Sequence, residues 1–459
     1  MKSSNLSSLG CWDLLCDLAL VSFFRKLGEH PRGEAYVEQV SLGRADVTRT
    51  ALLGVLSGQG PMSRAELARQ LDVSPATVGQ VTRALIQHGL LEERDYGPST
   101  GGRRGRLLAL CGAAGRAIGV KLTADRLVAV EMRLDGEVLR SALDAFDARS
   151  PEALARLALY LSGFVLQGGR DGPDGAPLLG VGVCVPGVVG RPDVGVADVP
   201  SFHWSGVPVG RYLRGALGVP VLVENGVKAL AFSELLYGHG RRRRNFAVLT
   251  IGGGVGFAVV CNGEVQRGAA GAAGEIGHAV VARNGPPCQC GARGCLESFA
   301  SNYGLLREAR GVGVLSEGQG VERLAELAAA GDRAALGVYR RAATVLGEFI
   351  AGPVTAFDPE VVVVAGEGSS AWQYWSEPFR RSLLRHLPDG WREVPVELST
   401  WLDSSWAQGA AAMVLATPFS DSRSVAGRQR RNVLARLHKL PGGDGDQHWD
   451  GSFESPVGA

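Results

Sequence analysis

The sequence predicts an α/β protein with an N-terminal winged helix-turn-helix followed by a larger, bilobal α/β domain. Three observations support this fold class. Capped helices precede two short strands within residues 46–112, and a strand-and-helix pattern occurs twice within residues 113–418, dividing near residue 240. One histidine and three cysteines also cluster in the second half. A chain of 459 residues has room for about two or three domains.

Composition describes an ordinary globular protein. Hydrophobic residues make up 45% of the chain and charged residues 20%, enough apolar material for a sizeable core. A formal net charge of +2 is too small to indicate nucleic-acid binding, so that function must be argued from local features. Five cysteines outside the cluster are scattered, which favours a reducing, cytoplasmic location; they are Cys11, Cys16, Cys111, Cys184 and Cys261.

Residues 1–45 form an N-terminal extension whose structure the sequence does not define. The segment from Leu9 to Phe24 is apolar, but Asp13 and Asp17 interrupt it and no small-residue cleavage site follows. It is also too short and too charged to span a membrane. We therefore expect a marginal helix or an over-extended start codon, and neither a signal peptide nor a membrane anchor.

The winged helix is predicted to begin with a helix from Thr48 to Leu56, which the following Gly-Gln-Gly-Pro run ends. A second helix begins near Met62, where Ser63 is the predicted N-cap and Glu66 completes a capping box. The turn after this helix leads to a third one, and helix-turn-helix motifs place that element in the DNA major groove.

The third helix, Pro75 to His88, is capped by Ser74 and has proline at its favoured first position. Apolar residues predict its inward face: Val78, Val81, Leu85 and Ile86. Short polar residues that can reach base edges predict the DNA-contacting face: Ser74, Ala76, Thr77, Gln80 and Arg83.

Two strands, Leu90–Glu93 and Leu107–Leu110, predict the wing, with the loop from Gly97 to Gly105 between them. Arginines on a glycine-rich backbone suit insertion into a narrow, electronegative minor groove. The predicted DNA contacts of the wing are Arg103, Arg104 and Arg106. The alternative is a small helical protein-interaction module with a solvated basic loop.

The first half of the large domain is predicted to contain a β-hairpin, two buried strands and two helices. Its elements are Ala117–Val130 with Glu131–Leu139 around Asp135-Gly136, helix Pro151–Leu166, strand Leu178–Val185, strand Val219–Glu224 and helix Val227–Tyr237. The basic run Arg241–Arg244 is interpreted as a solvated hinge rather than a second DNA site.

The second half repeats the design. Its predicted elements are strand Phe246–Ile251, a tight loop Gly252–Gly256, strand Phe257–Cys261 with a turn at Asn262-Gly263, helices Val321–Ala330 and Ala334–Phe357, strand Val361–Ala365 and helix Ser405–Ala416. The tail, residues 419–459, is polar and glycine-rich and is predicted to be disordered.

The sequence predicts a metal site with the pattern H-x9-C-x-C-x4-C, formed by His278, Cys288, Cys290 and Cys295. Thiolates and imidazole at short spacing are ligands that tetrahedral Zn²⁺ prefers. Because protein fills all four positions, the pattern indicates a structural zinc with no open position for water. One or two disulfides, or free buried thiols, are the alternative.

Two glutamates lie among these ligands, at Glu275 and Glu297. Held in place by a rigid metal loop, they and His278 are expected to converge on a polyhydroxylated ligand, because carboxylates accept hydrogen bonds from paired sugar hydroxyls. The alternative is that both are solvated loop acids.

From about residue 46 to residue 416 the chain resembles the ROK family of sugar kinases and sugar-responsive repressors. The four metal ligands match that family in type and spacing, and its sugar-contacting positions correspond to Asn225, Glu275, His278 and Glu297. The resemblance implies an actin-like, ribonuclease-H-like fold of the ATPase type. The winged helix implies the repressor branch of the family. Resemblance to that branch implies a dimer or a tetramer.

Two departures from the family's kinases imply that this chain has no catalytic residues and is not an enzyme. The kinases carry an aspartate as general base where this chain has Gly226, and glycine cannot accept a proton. Their Asp-x-Gly-x-Thr phosphate loop corresponds here to the run Lys121–Asp125, which has lost the carboxylate that helps to hold Mg²⁺.

The expected function is therefore a sugar-responsive transcriptional repressor of carbohydrate uptake or metabolism genes, acting as a homodimer or homotetramer on operator DNA. One alternative is an ATP-dependent sugar kinase with an appended DNA-binding module. Another is a regulator that has lost its ligand and responds to a protein partner. The sequence does not define the sugar, the operator or the sign of regulation.

Overall fold

The computed structural model describes residues 44–96, 105–168, 175–390 and 393–417, and the single positions 433 and 436. Its first part is the predicted winged helix. Three helices, α1 (Arg44–Gln59), α2 (Arg64–Leu71) and α3 (Pro75–Gln87), accompany a small sheet of order β1-β3-β2, whose strands are β1 (Met62–Ser63), β2 (Leu91–Tyr96) and β3 (Arg106–Leu110).

Side-chain caps fix the helix starts. The predicted capping box of α2 is confirmed: Ser63 Oγ accepts from Glu66 N at 3.3 Å, and Glu66 Oε2 accepts from Ser63 N at 2.8 Å. Helix α1 is longer than predicted. No helix breaker separates Arg44 from the predicted start, and Gly60, with φ +83°, follows its end.

The first lobe contains a five-stranded sheet of order β11-β7-β4-β5-β6. Its strands are β4 (Arg116–Leu122), β5 (Arg126–Arg133), β6 (Val138–Ala145), β7 (Leu178–Val185) and β11 (Val221–Asn225). The prediction of a single strand from Ala117 to Val130 is wrong, because the chain turns between β4 and β5. Thr123 stabilises the turn, since its hydroxyl donates to Asp125 Oδ1 at 2.9 Å.

The remaining elements of this lobe cover the sheet. They are helices α4 (Ala153–Gln167), α5 (Val209–Leu217) and α6 (Gly226–Leu236), and a small sheet of β8 (Val188–Val189), β9 (Ala197–Val199) and β10 (Trp204–Val207). Helix α6 begins directly where the buried strand β11 ends. The first residues of α6 therefore lie at the end of the sheet that faces the other lobe.

The second lobe contains a sheet of order β14-β13-β12-β15-β16. Its strands are β12 (Phe246–Ile251), β13 (Val255–Cys261), β14 (Glu264–Val265), β15 (Val362–Ala365) and β16 (Val396–Leu398). Its helices are α7 (Glu297–Ala300), α8 (Asn302–Gly311), α9 (Val321–Ala329), α10 (Arg333–Phe357) and α11 (Trp372–His386). Helix α11 was not predicted, although Trp372, Trp375, Phe379 and Leu383 are all buried at a helical spacing.

The last helix, α12 (Ser405–Ala416), packs on the first lobe although it follows the second lobe in sequence. Glycines in the first sheet let it approach. A Cβ added at Gly119 would lie 1.9 Å from Ala407 O, and one at Gly182 would lie 1.9 Å from Ala410 O. The chain therefore passes between the lobes twice, near residue 240 and again before α12.

Two positions of the C-terminal tail are described, and both are helical. Val433 is fully buried, and the Arg436 guanidinium donates to the carbonyl oxygens of Leu178 at 3.3 Å and Gly218 at 3.0 Å. The predicted disorder is therefore wrong at these two positions, because an apolar side chain and a carbonyl-binding arginine dock them on the first lobe. The other residues of the predicted tail lie outside the described ranges. Among the described helices, none is long and apolar enough to cross a membrane.

Candidate ligand-binding cleft and metal centre

A cleft of about 390 Å³ lies between the lobes. Two groups of residues line different parts of it. The carboxylate cluster comprises Asn225, Glu275, His278 and Glu297, and the loop cluster comprises Lys121, Gly226, Gly253 and Glu367. The volume lies within the range of about 300–1,000 Å³ that is usual for small-molecule sites.

Asn225 stands at the end of β11 and caps helix α6. Its Oδ1 accepts from Val227 N at 2.9 Å, and its Nδ2 donates to Gly187 O at 2.9 Å and to Glu275 Oε1 at 3.3 Å. The side chain is thus held with its amide facing the predicted sugar-binding glutamate. This pairing brings together two residues that are 50 positions apart in the sequence.

Glu224 fixes the backbone of that asparagine, and sequence reasoning missed it. Its Oε1 accepts from Asn225 N at 2.8 Å, and its Oε2 accepts from Arg267 Nε at 2.6 Å. Glu224 is fully buried, so the arginine stabilises a carboxylate that burial alone would disfavour. A glutamate inside an otherwise apolar strand was the available signal.

Glu275 lies 4.0 Å from the ammonium nitrogen of Lys228, a lysine only 1% exposed. Burial raises the pKa of Glu275, and the cation of Lys228 acts in the opposite direction. Burial lowers the pKa of Lys228, against which Glu224 and Glu275 act. Each partner therefore offsets part of the cost that burial imposes on the other's charge. Lys228 was not predicted.

Glu297 is the first residue of α7 and lies beneath the glycine loop. Its Oε2 accepts from Val255 N at 3.3 Å, and a Cβ added at Gly254 would lie 2.7 Å from the same oxygen. The structure therefore places all four predicted sugar-binding residues on one cleft. That they bind a sugar remains a prediction.

The four predicted metal ligands have donor atoms that all lie within 4.8 Å of one another. Cys290 Sγ and Cys295 Sγ are 3.8 Å apart, and Cys288 Sγ is 3.7 Å from His278 Nδ1. A tetrahedral ion with Zn–S bonds of about 2.3 Å has sulfur–sulfur edges of about 3.8 Å. A disulfide would need sulfurs about 2.05 Å apart. The geometry fits the metal and not the bridge.

The loop that carries these ligands turns at two glycines. Gly291 has φ +91° and Gly294 has φ +72°, and a Cβ added at Gly294 would lie 1.6 Å from Ala282 O. Burial, with the neighbouring thiols, raises the pKa of Cys295 to about 12. A bound cation would reverse that preference, because thiolates are the ligating species.

The loop cluster begins with Lys121 and Gly226. A Cβ added at Gly226 would lie 3.0 Å from Lys121 Nζ and 3.3 Å from Cε3 of Trp406. The same ammonium lies 4.7 Å from the centre of the Trp406 ring, which in turn contacts Trp401 edge to face at 5.3 Å. Neither tryptophan was predicted to line the cleft.

Glu367 occupies the glycine loop between β12 and β13. Its Oε1 accepts from Gly253 N at 2.9 Å, and a Cβ added at Gly252 would lie 2.3 Å from its Cδ. Backbone N–H groups of such loops are the donors that cradle phosphates. Here one of them is already used by a carboxylate of the chain itself.

The predicted DNA-contacting face is partly exposed and partly engaged in capping. Ala76, Gln80 and Arg83 are exposed, whereas Ser74 Oγ accepts from Thr77 N at 3.1 Å and lies 2.8 Å from Thr77 Oγ1. Arg106 is exposed and pairs with Glu93, which also binds Arg64. Predicted contacts Arg103 and Arg104 lie outside the described residues. The DNA contacts remain predictions.

The turn Arg241–Arg244, interpreted as a solvated hinge, is exposed at Arg241, Arg242 and Arg244, and its first two residues also contact the end of α1. Arg242 donates from its backbone N to Gly58 O at 2.9 Å and from its Nε to Gln59 O at 2.9 Å. The guanidinium of Arg241 packs against Gly60. Carbonyls at a helix C-terminus lack partners within the helix and carry partial negative charge, so a cation is stabilised there.

Comparison with known proteins finds a match for each of the two parts of the chain. The ROK family pattern matches residues 173–417 and the MarR family pattern matches residues 47–95. A xylose repressor from Caldicellulosiruptor bescii is 28% identical over 376 residues, which cover 78% of this chain and 93% of that protein.

Two solved structures share the fold. A ROK family transcriptional regulator, a homologue of the E. coli MLC protein, is 22% identical with a TM-score of 0.70, covering 86% of this chain and 99% of that one. A ROK family glucokinase from Streptomyces griseus, in complex with glucose and AMPPNP, is 26% identical with a TM-score of 0.57, covering 65% of this chain and 99% of that one. One fold therefore accommodates a regulator and a kinase, and the residues of the cleft must distinguish them.

Proposed function

The chain belongs to the ROK family, and from this premise we propose that it is a sugar-responsive repressor that binds operator DNA through its winged helix. The predicted family, winged helix and kinase-type fold of the large domain are confirmed. The similarity to a bacterial xylose repressor supports the regulation of carbohydrate genes by this chain as well. We do not extend the identity of that relative's sugar to this chain.

One observation carries the proposal: the same cleft has an intact carboxylate cluster and a loop cluster unsuited to phosphoryl transfer. Gly226 provides no base, Lys121 places a cation where Mg²⁺ would need a carboxylate, and Glu367 binds the loop amide. Phosphoryl transfer needs the base, the metal and the phosphate cradle together. We therefore propose that the cleft binds a sugar without phosphorylating it.

We further propose that the His–Cys₃ group holds one structural zinc ion. Three thiolates and an imidazole would saturate the ion, which would supply rigidity rather than chemistry. Nδ1 of His278 faces the cysteines, and the residue also lines the cleft. Its Nε2 is then the ring nitrogen available to a ligand, so metal and ligand would share one orienting side chain.

The path from the cleft to the DNA-binding domain is proposed to be helix α6. Its N-cap is Asn225, and the turn that follows its last residue, Leu236, bears Arg242 on the C-terminus of α1. Glu234, buried near the end of α6, accepts from His239 N at 2.8 Å and from Ser399 Oγ at 2.5 Å, which stiffens that turn. A ligand-induced shift of α6 would therefore also move the end of α1 in the winged helix.

Two half-sites are the usual target of winged and helix-turn-helix dimers, so we propose a homodimer on a two-fold operator. Genome-wide pull-down of the protein with its bound DNA would identify the operator, and the adjoining genes would indicate the sugar. Added sugar should then release the operator in a mobility-shift assay. Failure to recover any specific site would contradict the proposal.

The DNA contacts can be tested on that operator. Replacing Arg103 and Arg104 together by alanine should weaken binding to all sequences and flatten its salt dependence, because phosphate contacts release counterions. Gln80→Ala should chiefly change which sequences are preferred. If the arginine pair can be removed without loss of affinity, the wing assignment is wrong.

Arg242→Ala tests the α6 path. Operator binding and sugar binding should both persist, while the sugar-induced release of DNA decreases, because the link between the two sites is weakened. Arg156→Ala, which removes an exposed arginine of α4 away from the cleft, is the matched control. Unchanged release in the Arg242 variant would exclude this route.

A further inference from the structure

Two cations line the cleft, and the carboxylate cluster explains neither; Lys121 is half-buried, whereas Arg126 is exposed. Lys121, near the end of β4, has its Nζ over the face of Trp406. The position that a Cβ at Gly226 would take lies 3.0 Å from this nitrogen, so the ammonium stands over the first residue of α6. Asn225, a predicted sugar contact, immediately precedes that residue. The cation therefore lies beside the expected ligand.

The three glutamates of the cleft all have donors of their own. Glu275 receives Asn225 Nδ2, Glu297 receives Val255 N and Glu367 receives Gly253 N. Within the described ranges, by contrast, Nζ of Lys121 has no hydrogen-bond acceptor and no ion-pair partner, and it lies over the Trp406 ring. Asp403, the remaining acid that lines the cleft, is exposed and does not pair with it.

A half-buried ammonium without a counter-ion is stabilised by an anion that enters the cleft, because the pair replaces solvation that the walls have removed. Gly226 contributes by having no side chain, since an acidic residue there would reach Lys121 and neutralise it. The N-terminus of α6 has the same sign of partial charge. The Trp406 ring adjoins the ammonium and offers a flat surface for the apolar face of a sugar.

We propose that Lys121 forms a subsite for an anionic group of the effector, so that the ligand is a sugar carrying a phosphate or a carboxylate. This inference rests on the proposed sugar-responsive function and names the ligand class of the same cleft. The carboxylate cluster binds the hydroxyls, and Lys121 binds the charged substituent. Lysine suits this task as a point charge with rotatable donors.

Titration calorimetry on the full-length protein tests the subsite with matched pairs of sugars. The pairs are glucose and glucose 6-phosphate, xylose and xylose 5-phosphate, and N-acetylglucosamine and its 6-phosphate, with glucuronate and galacturonate as carboxylate probes. At least one charged sugar should bind at least tenfold more tightly than its neutral parent. Preference for the phosphates or for the uronates identifies the anion.

Lys121→Met keeps the length of the side chain and removes its charge. It should reduce the preference for the charged sugar to less than twofold while leaving the affinity for the neutral parent unchanged. Lys121→Arg should retain most of the preference. Arg156→Met removes an exposed positive charge that does not line the cleft and should change nothing, which controls for net charge. Thermal melting of each variant verifies folding.

The outcomes separate this inference from the proposed function. Equal binding of neutral and charged sugars, unaffected by Lys121→Met, would overturn the anionic subsite and leave sugar-responsive repression intact. No binding of any sugar by the wild-type protein would overturn both. A charged preference that survives Lys121→Met would assign the anion to another residue and would also end this proposal.

Discussion

The two clusters of the cleft show opposite uses of charged side chains. In the carboxylate cluster, Glu275 is held between an asparagine amide and a buried lysine, and Glu297 lies under a backbone amide, so both keep acceptor atoms for a ligand. In the loop cluster, Glu367 takes a loop amide for the chain itself. Under the proposed function, the same residue type supports ligand binding in one cluster and opposes phosphoryl transfer in the other.

This difference teaches that binding and catalysis can be separated within one cleft. Recognition of hydroxyls needs only acceptors and donors fixed in space, which the metal loop and α6 provide. Phosphoryl transfer needs several groups acting as a unit, so the loss of any one is costly. A regulator can therefore keep the fold and the ligand while a few substitutions at the loop cluster remove the reaction.

The largest expected effect comes from removing a metal ligand. Cys295→Ser should release the zinc ion, loosen the loop bearing Glu275 and Glu297, and lower the free energy of unfolding by a few kcal/mol. Sugar binding should fall with it. Elemental analysis and chemical denaturation measure the two quantities.

Cys184→Ser is the matched control for this change. Cys184 is also fully buried, and its Sγ donates to Trp406 O at 3.4 Å, a bond that a serine hydroxyl can replace. Zinc content should stay at one per chain in this variant. Absence of zinc from carefully purified wild-type protein would end the metal assignment.

The loop of residues 278–295, which carries the predicted metal ligands, also shows how far the sequence predicts a site. The spacing of four ligands and the two glycines sufficed to predict their convergence, because all of them lie within eighteen consecutive residues, from 278 to 295. Local patterns carry that information. The Glu224–Arg267 pair and Lys228 could not be predicted in the same way, since their partners are set by how α6 and the loop after β14 meet.

An intermediate effect is expected when Glu275 of the carboxylate cluster and Glu367 of the loop cluster are replaced one at a time. Glu275→Gln should weaken sugar binding by about 10- to 100-fold, because a hydrogen bond to a charged acceptor contributes about 1.5–3 kcal/mol. Glu367→Gln is an equally conservative change and should alter sugar affinity by less than twofold. Calorimetry on both proteins makes the comparison.

Equal losses in the two variants would mean that the clusters are not functionally distinct. Glu275→Gln also leaves Lys228 without its nearer carboxylate at 4.0 Å, so folding must be verified by thermal melting. A properly folded variant that has lost sugar binding would assign Glu275 to the ligand.

The fold was predicted best where an element has a local signature. The start of α3, strand β7, strand β12 and helix α12 agree with the sequence reading, because a capping serine or a continuous apolar run defines each. Helix α11 was missed because Pro378 and several polar residues interrupt its pattern. The assignment of α12 to the first lobe depends on contacts with Gly119 and Gly182, which no local pattern contains.

The smallest effect is expected when only one of the groups needed for phosphoryl transfer is restored. Gly226→Asp returns a carboxylate to the position of the general base, and such help is typically worth about 10²–10⁴ in rate. Here the new side chain would begin 3.0 Å from Lys121 Nζ, so it would form an ion pair and lose its basicity. Glu367 would still hold the loop amide. We therefore expect no sugar-dependent ADP release from wild type or from this variant in a coupled assay across common hexoses and amino sugars, while the preference for charged sugars disappears.

Adding Lys121→Asp and Glu367→Gly to the same chain would remove the competing cation and free the loop, so any recovered turnover should appear only in the triple variant. Turnover by the unmodified protein at about 1–100 s⁻¹, as in ordinary kinases, would show that the loop cluster does not prevent catalysis.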